Sequence, residues 1–241
     1  MRHLKTPALA TACLLALIAA ACGGGSKPEK LKFDVAKAEL TAHDVLINTV
    51  DLPGSGWSIT DEDPKESDDD DVPDTASCKE LRAFQDEVNA LDTKSRAARA
   101  KREIGKPAAA TLATEVSVEI EIYRETKPLA PHLDRARKLV DSGGYTNCLS
   151  DLLGGIYKSA GLTATTKSVP ASTTAPANGF AYAAESQISG LPSPLRFENY
   201  GWIVGNAKIT VSLSGSKDAL TPELAKAAVL KTHAKLLEAS Q

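Results

Sequence analysis

The 241 residues carry 28 Lys and Arg against 31 Asp and Glu, a formal charge of −3. That balance argues against nucleic acid as a partner, because phosphate recognition needs a basic surface. Aromatic residues make up only 5%, which is low for a carbohydrate-stacking or base-stacking platform.

The chain starts Met1-Arg2-His3-Leu4-Lys5 and is then apolar over 8–21 apart from Thr11. As a helix that run reaches about 21 Å at ~1.5 Å per residue, short of a ~30 Å hydrocarbon core. A basic start, a short apolar run and the small residues Ala19-Ala20-Ala21 read as a secretory leader over 1–21. With Cys22, the same stretch resembles the bacterial lipobox, with Ala19 where that pattern usually has Leu. The resemblance implies cleavage before Cys22, a lipid on its sulfur and attachment to the outer face of the cell membrane. Release as a free secreted protein is the alternative. Residues 22–34, opening with Gly23-Gly24-Gly25-Ser26, read as a flexible tether, and 35–241 as one domain. Cys13 leaves with the leader and lipid consumes Cys22. Cys78 and Cys148 remain, and an oxidising compartment makes them a disulfide.

A short helix follows Thr41, and Pro53-Gly54-Ser55-Gly56 breaks the chain before Trp57. Residues 61–74 form an acidic loop without the spaced ligands of an EF-hand; whether it holds cations is left open. Ser77 and Glu80 predict a capping box for a helix with the stripe Cys78, Leu81, Phe84, Val88 and Leu91. The stretch 96–104 is extended. Strict alternation over 116–122 puts Val and Ile on one face and Ser and Glu on the other. Arg99 and Lys101 can stand opposite those glutamates, and Glu115, Glu119 and Glu121 read as a solvated face. Two helices come next, striped by Leu129, Leu133, Ala136 and Val140 and by Cys148, Leu152 and Ile156. A strand leads into the loop within 163–178, and strands are expected over 180–188, 195–203 and 208–213. Gly205-Asn206 turns the last hairpin. Thr221-Pro222-Glu223 opens a final helix with the stripe Leu224, Ala227, Leu230, Ala234 and Leu237. The fold class is α+β, an antiparallel sheet with helices packed on one face and one disulfide.

No H-E-x-x-H or G-x-S-x-G occurs. Ser214-Gly215-Ser216-Lys217 matches S-x-x-K in letters but follows a strand. His43, His132 and His233 fall far apart on helices and read as surface or helix-end residues. No metal site, catalytic residue or cofactor is expected. Trp57 and Trp202 are the ligand-wall candidates; each can equally plug the edge of the core.

The order of these parts is similar to the extracellular sensor domain of mycobacterial receptor-type Ser/Thr kinases and related actinobacterial lipoproteins. The parts in question are the Asp51-Leu52-Pro53 break before Trp57, a Cys at each of two helix starts, Val204-Gly205-Asn206-Ala207 and a closing helix. The resemblance implies an α+β fold with a cleft, usually two disulfides where this chain has one, and ligand sensing without catalysis. The expected function is a lipid-anchored, non-enzymatic envelope protein that binds or senses a small molecule, a lipid or a protein partner. The alternatives are an envelope hydrolase without a recognisable motif and a structural surface lipoprotein. A deep apolar pocket between helices and sheet, walled by Trp57 or Trp202, would favour the first.

Overall fold

Two antiparallel meanders meet at the long strands β3 and β7. The first is β1 (Ser58–Glu62), β2 (Arg96–Lys106) and β3 (Thr114–Tyr123). The second is β4 (Ala164–Ser168), β5 (Phe180–Ile188), β6 (Leu195–Val204) and β7 (Ala207–Ser216). Together they make one seven-stranded sheet in the order β1-β2-β3-β7-β6-β5-β4, with every pair antiparallel. Among the described residues five α-helices accompany it: α1 (Ala38–Asp44), α2 (Lys79–Ser95), α3 (Leu129–Asp141), α4 (Gly144–Ser159) and α5 (Pro222–Ala239). This is a computed structural model, and it describes residues 32–62, 72, 74–107, 113–176 and 179–240. The expected leader, Cys22 and all but the last residues of the tether lie outside the described residues, as does most of the acidic loop. Among the described residues no helix is long and apolar enough to cross a membrane.

The α+β class, the antiparallel sheet and the Cys78–Cys148 bridge, with Cα atoms 4.5 Å apart, are as expected. The helices extend to the second face as well as the first. On one face Val116, Val118, Ile120 and Ile122 of β3 align with Leu213, Val211, Ile209 and Ala207 of β7. These eight residues are at most 2% exposed. α1 covers them at β2 and β3, and α5 covers β6 and β7. On the other face α3 and α4 meet β5 and β6, and α2 lies on α3 and α4. Two features let this nominally polar face be covered. Phe180, Tyr182 and Ile203 give α3 and α4 an apolar landing at β5 and β6. At β2, β3 and β7 the charges neutralise one another across the strands, with Glu121 taking Lys208 and also Arg96 at 3.0 Å. Glu121 is thus 2% exposed rather than solvated.

Helix phase departs from expectation in two places. α5 buries Leu224, Ala225, Ala228, Val229, Thr232 and Leu236, while Leu230 is 46% exposed. Its sequence is apolar on nearly every side, so contact with β6 and β7 selects the buried stripe. In α4, Leu153 is buried with Cys148, and Leu152 and Ile156 are exposed. The start of α5 follows expectation: Thr221 Oγ1 accepts from Leu224 N at 3.2 Å and Pro222 stands in the first turn. At α2 the expected capping box is absent, because Cys78 is the cap residue and Ser77 bonds to Asp151 on α4. Gly205, at φ +60°, turns the β6–β7 hairpin. Beside it Asn206 accepts from Phe33 N at 2.6 Å and donates to Tyr123 O at 2.6 Å. The chain therefore enters the fold at this hairpin, with Phe33 3% exposed.

Candidate ligand-binding site

Beneath α2 and α3 the sheet is covered but not filled. A cavity of about 170 Å³ remains there. Its roof is Phe84 and Val88 of α2 with Leu129, His132, Leu133 and Ala136 of α3. Tyr145 of α4 and Phe180 of β5 close one side. The floor is the second face of the sheet along Asn199, Gly201 and Ile203 of β6 and Lys208 and Thr210 of β7. Gly201 belongs there because any Cβ would overlap the Phe180 ring, which lies across it. Local sequence explains the incomplete fill. α2 carries an apolar stripe, yet none of its residues is fully buried. It is held at its ends, by the disulfide at Cys78 and by Asp92, which accepts from Tyr123 Oη at 2.5 Å and pairs with Arg96 at 3.1 Å. Glu87 adds a pair to Arg135 of α3 at 3.2 Å.

Electrostatics divide the cavity. Burial alone would lower the Lys208 ammonium, but the Glu121 and Asp92 carboxylates outweigh it and hold its pKa above the ordinary value. Burial would raise Glu121, and Lys208 and Arg96 overcome that and lower it. Tyr123 is pushed far up by burial and the Glu121 charge, and Asp92 is raised by burial and then by Glu121. This corner is a closed set of paired charges. Tyr145 is pushed up to about 12 by burial, with Tyr182 beside it at 5.5 Å between ring centroids. Both phenols are neutral at physiological pH. His132 is different. Burial lowers its pKa, so the ring is neutral near pH 7, and its Nδ1 is buried without a hydrogen-bond partner among the described residues. A buried polar atom left unpaired costs about 1–3 kcal/mol, and Trp202 Nε1 and His233 Nδ1 on the other face of the sheet are in the same state among the described residues.

The structure separates the two tryptophans. Trp202 is 0% exposed. It stands opposite Ile209, so alternation turns its side chain to the α5 face, where it meets the His233 ring edge-on at 6.2 Å. It therefore contributes main chain to the cavity floor. Trp57 lies elsewhere, its Nε1 donating to Pro53 O at 2.9 Å and Lys106 Nζ standing 5.6 Å from its ring centroid. It borders a separate, open hollow of about 320 Å³ with Thr221 and Leu224. His132, Phe84 and Val88 line the cavity although nothing in the sequence marks them as ligand residues. Phe84 and Val88 were legible as an apolar stripe, and His132 carried no signal at all. Lys217 of the S-x-x-K letters pairs with Glu185 at 3.1 Å. Among the described residues no group of three or more His, Cys, Asp or Glu is placed to hold a metal ion.

No protein-family model matches the chain, and no curated protein sequence matches it. Among solved structures it is similar to the extracellular domain of PknH from Mycobacterium tuberculosis. The TM-score is 0.44 at 12% identity, over 84% of this chain and 96% of that one.

Proposed function

We propose that this chain is a lipid-anchored, extracytoplasmic binding or sensing domain without catalytic activity, and that its ligand enters the cavity beneath α2 and α3. The cavity carries the reading. It is apolar over most of its wall and about the size of a ~150 Å³ apolar cavity that holds one benzene. Of the ionisable groups that line it besides His132, Lys208 is committed to Glu121 and the Tyr145 phenol is held neutral by burial. Such an arrangement suits holding a molecule and, among the described residues, places no activated nucleophile beside it. Supporting the extracytoplasmic setting are the leader-like segment 1–21 with Cys22 and a disulfide of the kind that persists in oxidising compartments. Trp202 acts from behind, fixing the floor.

The test is native mass spectrometry of the full chain extracted gently from its own membrane. The expected spectrum shows an acylated mature chain beginning at Cys22 and a co-purifying small molecule that Ala136→Phe abolishes. An unacylated mature chain would remove the anchor. A co-purifying molecule that survives Ala136→Phe in folded protein would remove the cavity as its site.

A further inference from the structure

The covered half of the second sheet face adjoins a more open half, with Asn199 at the border. Asn199 lines the apolar cavity and also a neighbouring open groove of about 130 Å³. That groove lies along the same strands, over Ser117, Ser212 and Ser214, with Phe197 on one side and Glu103 and Glu115 on the other. Alternation explains the continuity. Gly201, Asn199 and Phe197 share a face of β6, as Thr210, Ser212 and Ser214 share a face of β7, and Asn199 is paired with Ser212 in the register. Ser212 Oγ donates to Asn199 Oδ1 at 2.5 Å, and Ser214 Oγ reaches Glu115 at 3.5 Å. From Gly201 to Phe197 the strand covers about 13 Å at ~3.3 Å per residue.

We infer that the ligand is a neutral amphiphile with a hydroxyl-rich, sugar-like head: its apolar end lies beneath α3, and its head lies across the serine row of the open groove. This rests on the reading of the cavity as a ligand site. A volume of about 170 Å³ takes roughly six carbons, judged against benzene in a ~150 Å³ cavity. The open half offers what a polyol needs, hydroxyls and an amide that both donate and accept. Its charges argue against an anionic head, since Glu103 and Glu115 stand on the rim. The paucity of aromatic residues, 5% of the chain, means that hydrogen bonds carry the recognition, with Phe197 alone offering a ring to the apolar side of a sugar.

The experiment measures binding of n-hexyl β-D-glucoside, 1-hexanol, hexyl sulfate and hexylamine to the full chain by ligand-observed NMR. The glucoside should bind about tenfold more tightly than 1-hexanol, on two added hydrogen bonds worth severalfold each, and more tightly than either charged probe. Ser212→Ala and Ser117→Ala, both on the open face, should each weaken the glucoside about fivefold and leave 1-hexanol unchanged. Ala136→Phe should block both. Val88→Phe closes the same space from the other helix if the first variant does not fold. If 1-hexanol binds and the cavity variants block it, but the glucoside binds no more tightly or hexylamine binds best, the head assignment is overturned and the cavity reading stands. If none of the four probes binds, both fall.

Discussion

The two faces of the sheet are built by the same strands, and they end up in opposite states. Against α5 the side chains interlock: Trp202, Ile209, Val229 and Leu236 are 0% exposed, and where charge is buried it is fully paired. On the same face of the sheet Arg196 bridges Glu185 at 2.9 Å and Glu198 at 2.5 Å and also donates to Pro170 O at 2.8 Å. Ser172 and Tyr200 complete the Glu198 carboxylate. Against α2 and α3 a cavity remains and α2 has no fully buried residue, while buried nitrogens without a partner among the described residues occur on both faces, His132 Nδ1 on this one and Trp202 Nε1 and His233 Nδ1 on the other. The contrast shows where this fold stores its stability and where it can yield. A face packed to native density resists any added atom, whereas the other has room for one more molecule.

The sharpest way to break the comparison is to remove the pairing on the closed face. Arg196→Met would leave the buried Glu198, at 1% exposure, without its cation and Glu185, at 4%, with Lys217 and Lys167. It is expected to cost about 3–5 kcal/mol, read by urea denaturation. Reducing the disulfide, or replacing Cys78 and Cys148 by Ser, should cost about 4 kcal/mol for a bridge spanning 70 residues. It should also free the N-terminal end of α2, so that binding to the cavity weakens while near-UV signals from Trp202 persist. Loss of the Trp202 signal at the same denaturant concentration would show that the two faces are one cooperative unit.

A gentler test compares the same truncation on each side. Val229→Ala on α5 removes atoms from a closed interface and should cost about 2–3 kcal/mol. Val88→Ala on α2 only enlarges an existing space and should cost less than about 1 kcal/mol. Equal costs would mean that the cavity wall is as tightly constrained as the core.

Much of the fold was legible because it follows from local rules. The alternation over 116–122 fixed β3 and its buried face, and the cysteines left after processing pointed to the bridge. The cap and Pro at Thr221-Pro222 marked the start of α5. What was illegible depends on partners distant in sequence. Glu121 looks solvent-facing until β2 and β7 bring Arg96 and Lys208 beside it, and only then can α2 lie over that face. α5 offers several apolar stripes, so its phase is decided by Trp202 and Ile209 rather than by its own periodicity. The cavity is the extreme case. Its wall draws on α2, α3, α4, β5, β6 and β7, and an unfilled volume leaves no mark on any one of them. Phe84 and Val88 spell out a core stripe, and nothing nearby says that the core beneath them stops short.

The smallest effect, and the one that separates the faces most directly, is the titration of the two histidines. Burial lowers the pKa of both His132 and His233 from 6.5. The folded chain therefore binds fewer protons than the unfolded chain as the pH falls below 6.5. Their contribution to stability is complete above that pH and is lost on acidification towards the lower folded-state values. Proton NMR of the imidazole rings should show both titrating below 6.5. Adding 1-hexanol should then move only the His132 resonances, because His132 lines the cavity while His233 is held against Trp202 on the packed face. A ligand-induced shift at His233 of similar size would mean that occupancy is transmitted through the sheet and that the closed face is less rigid than its packing implies.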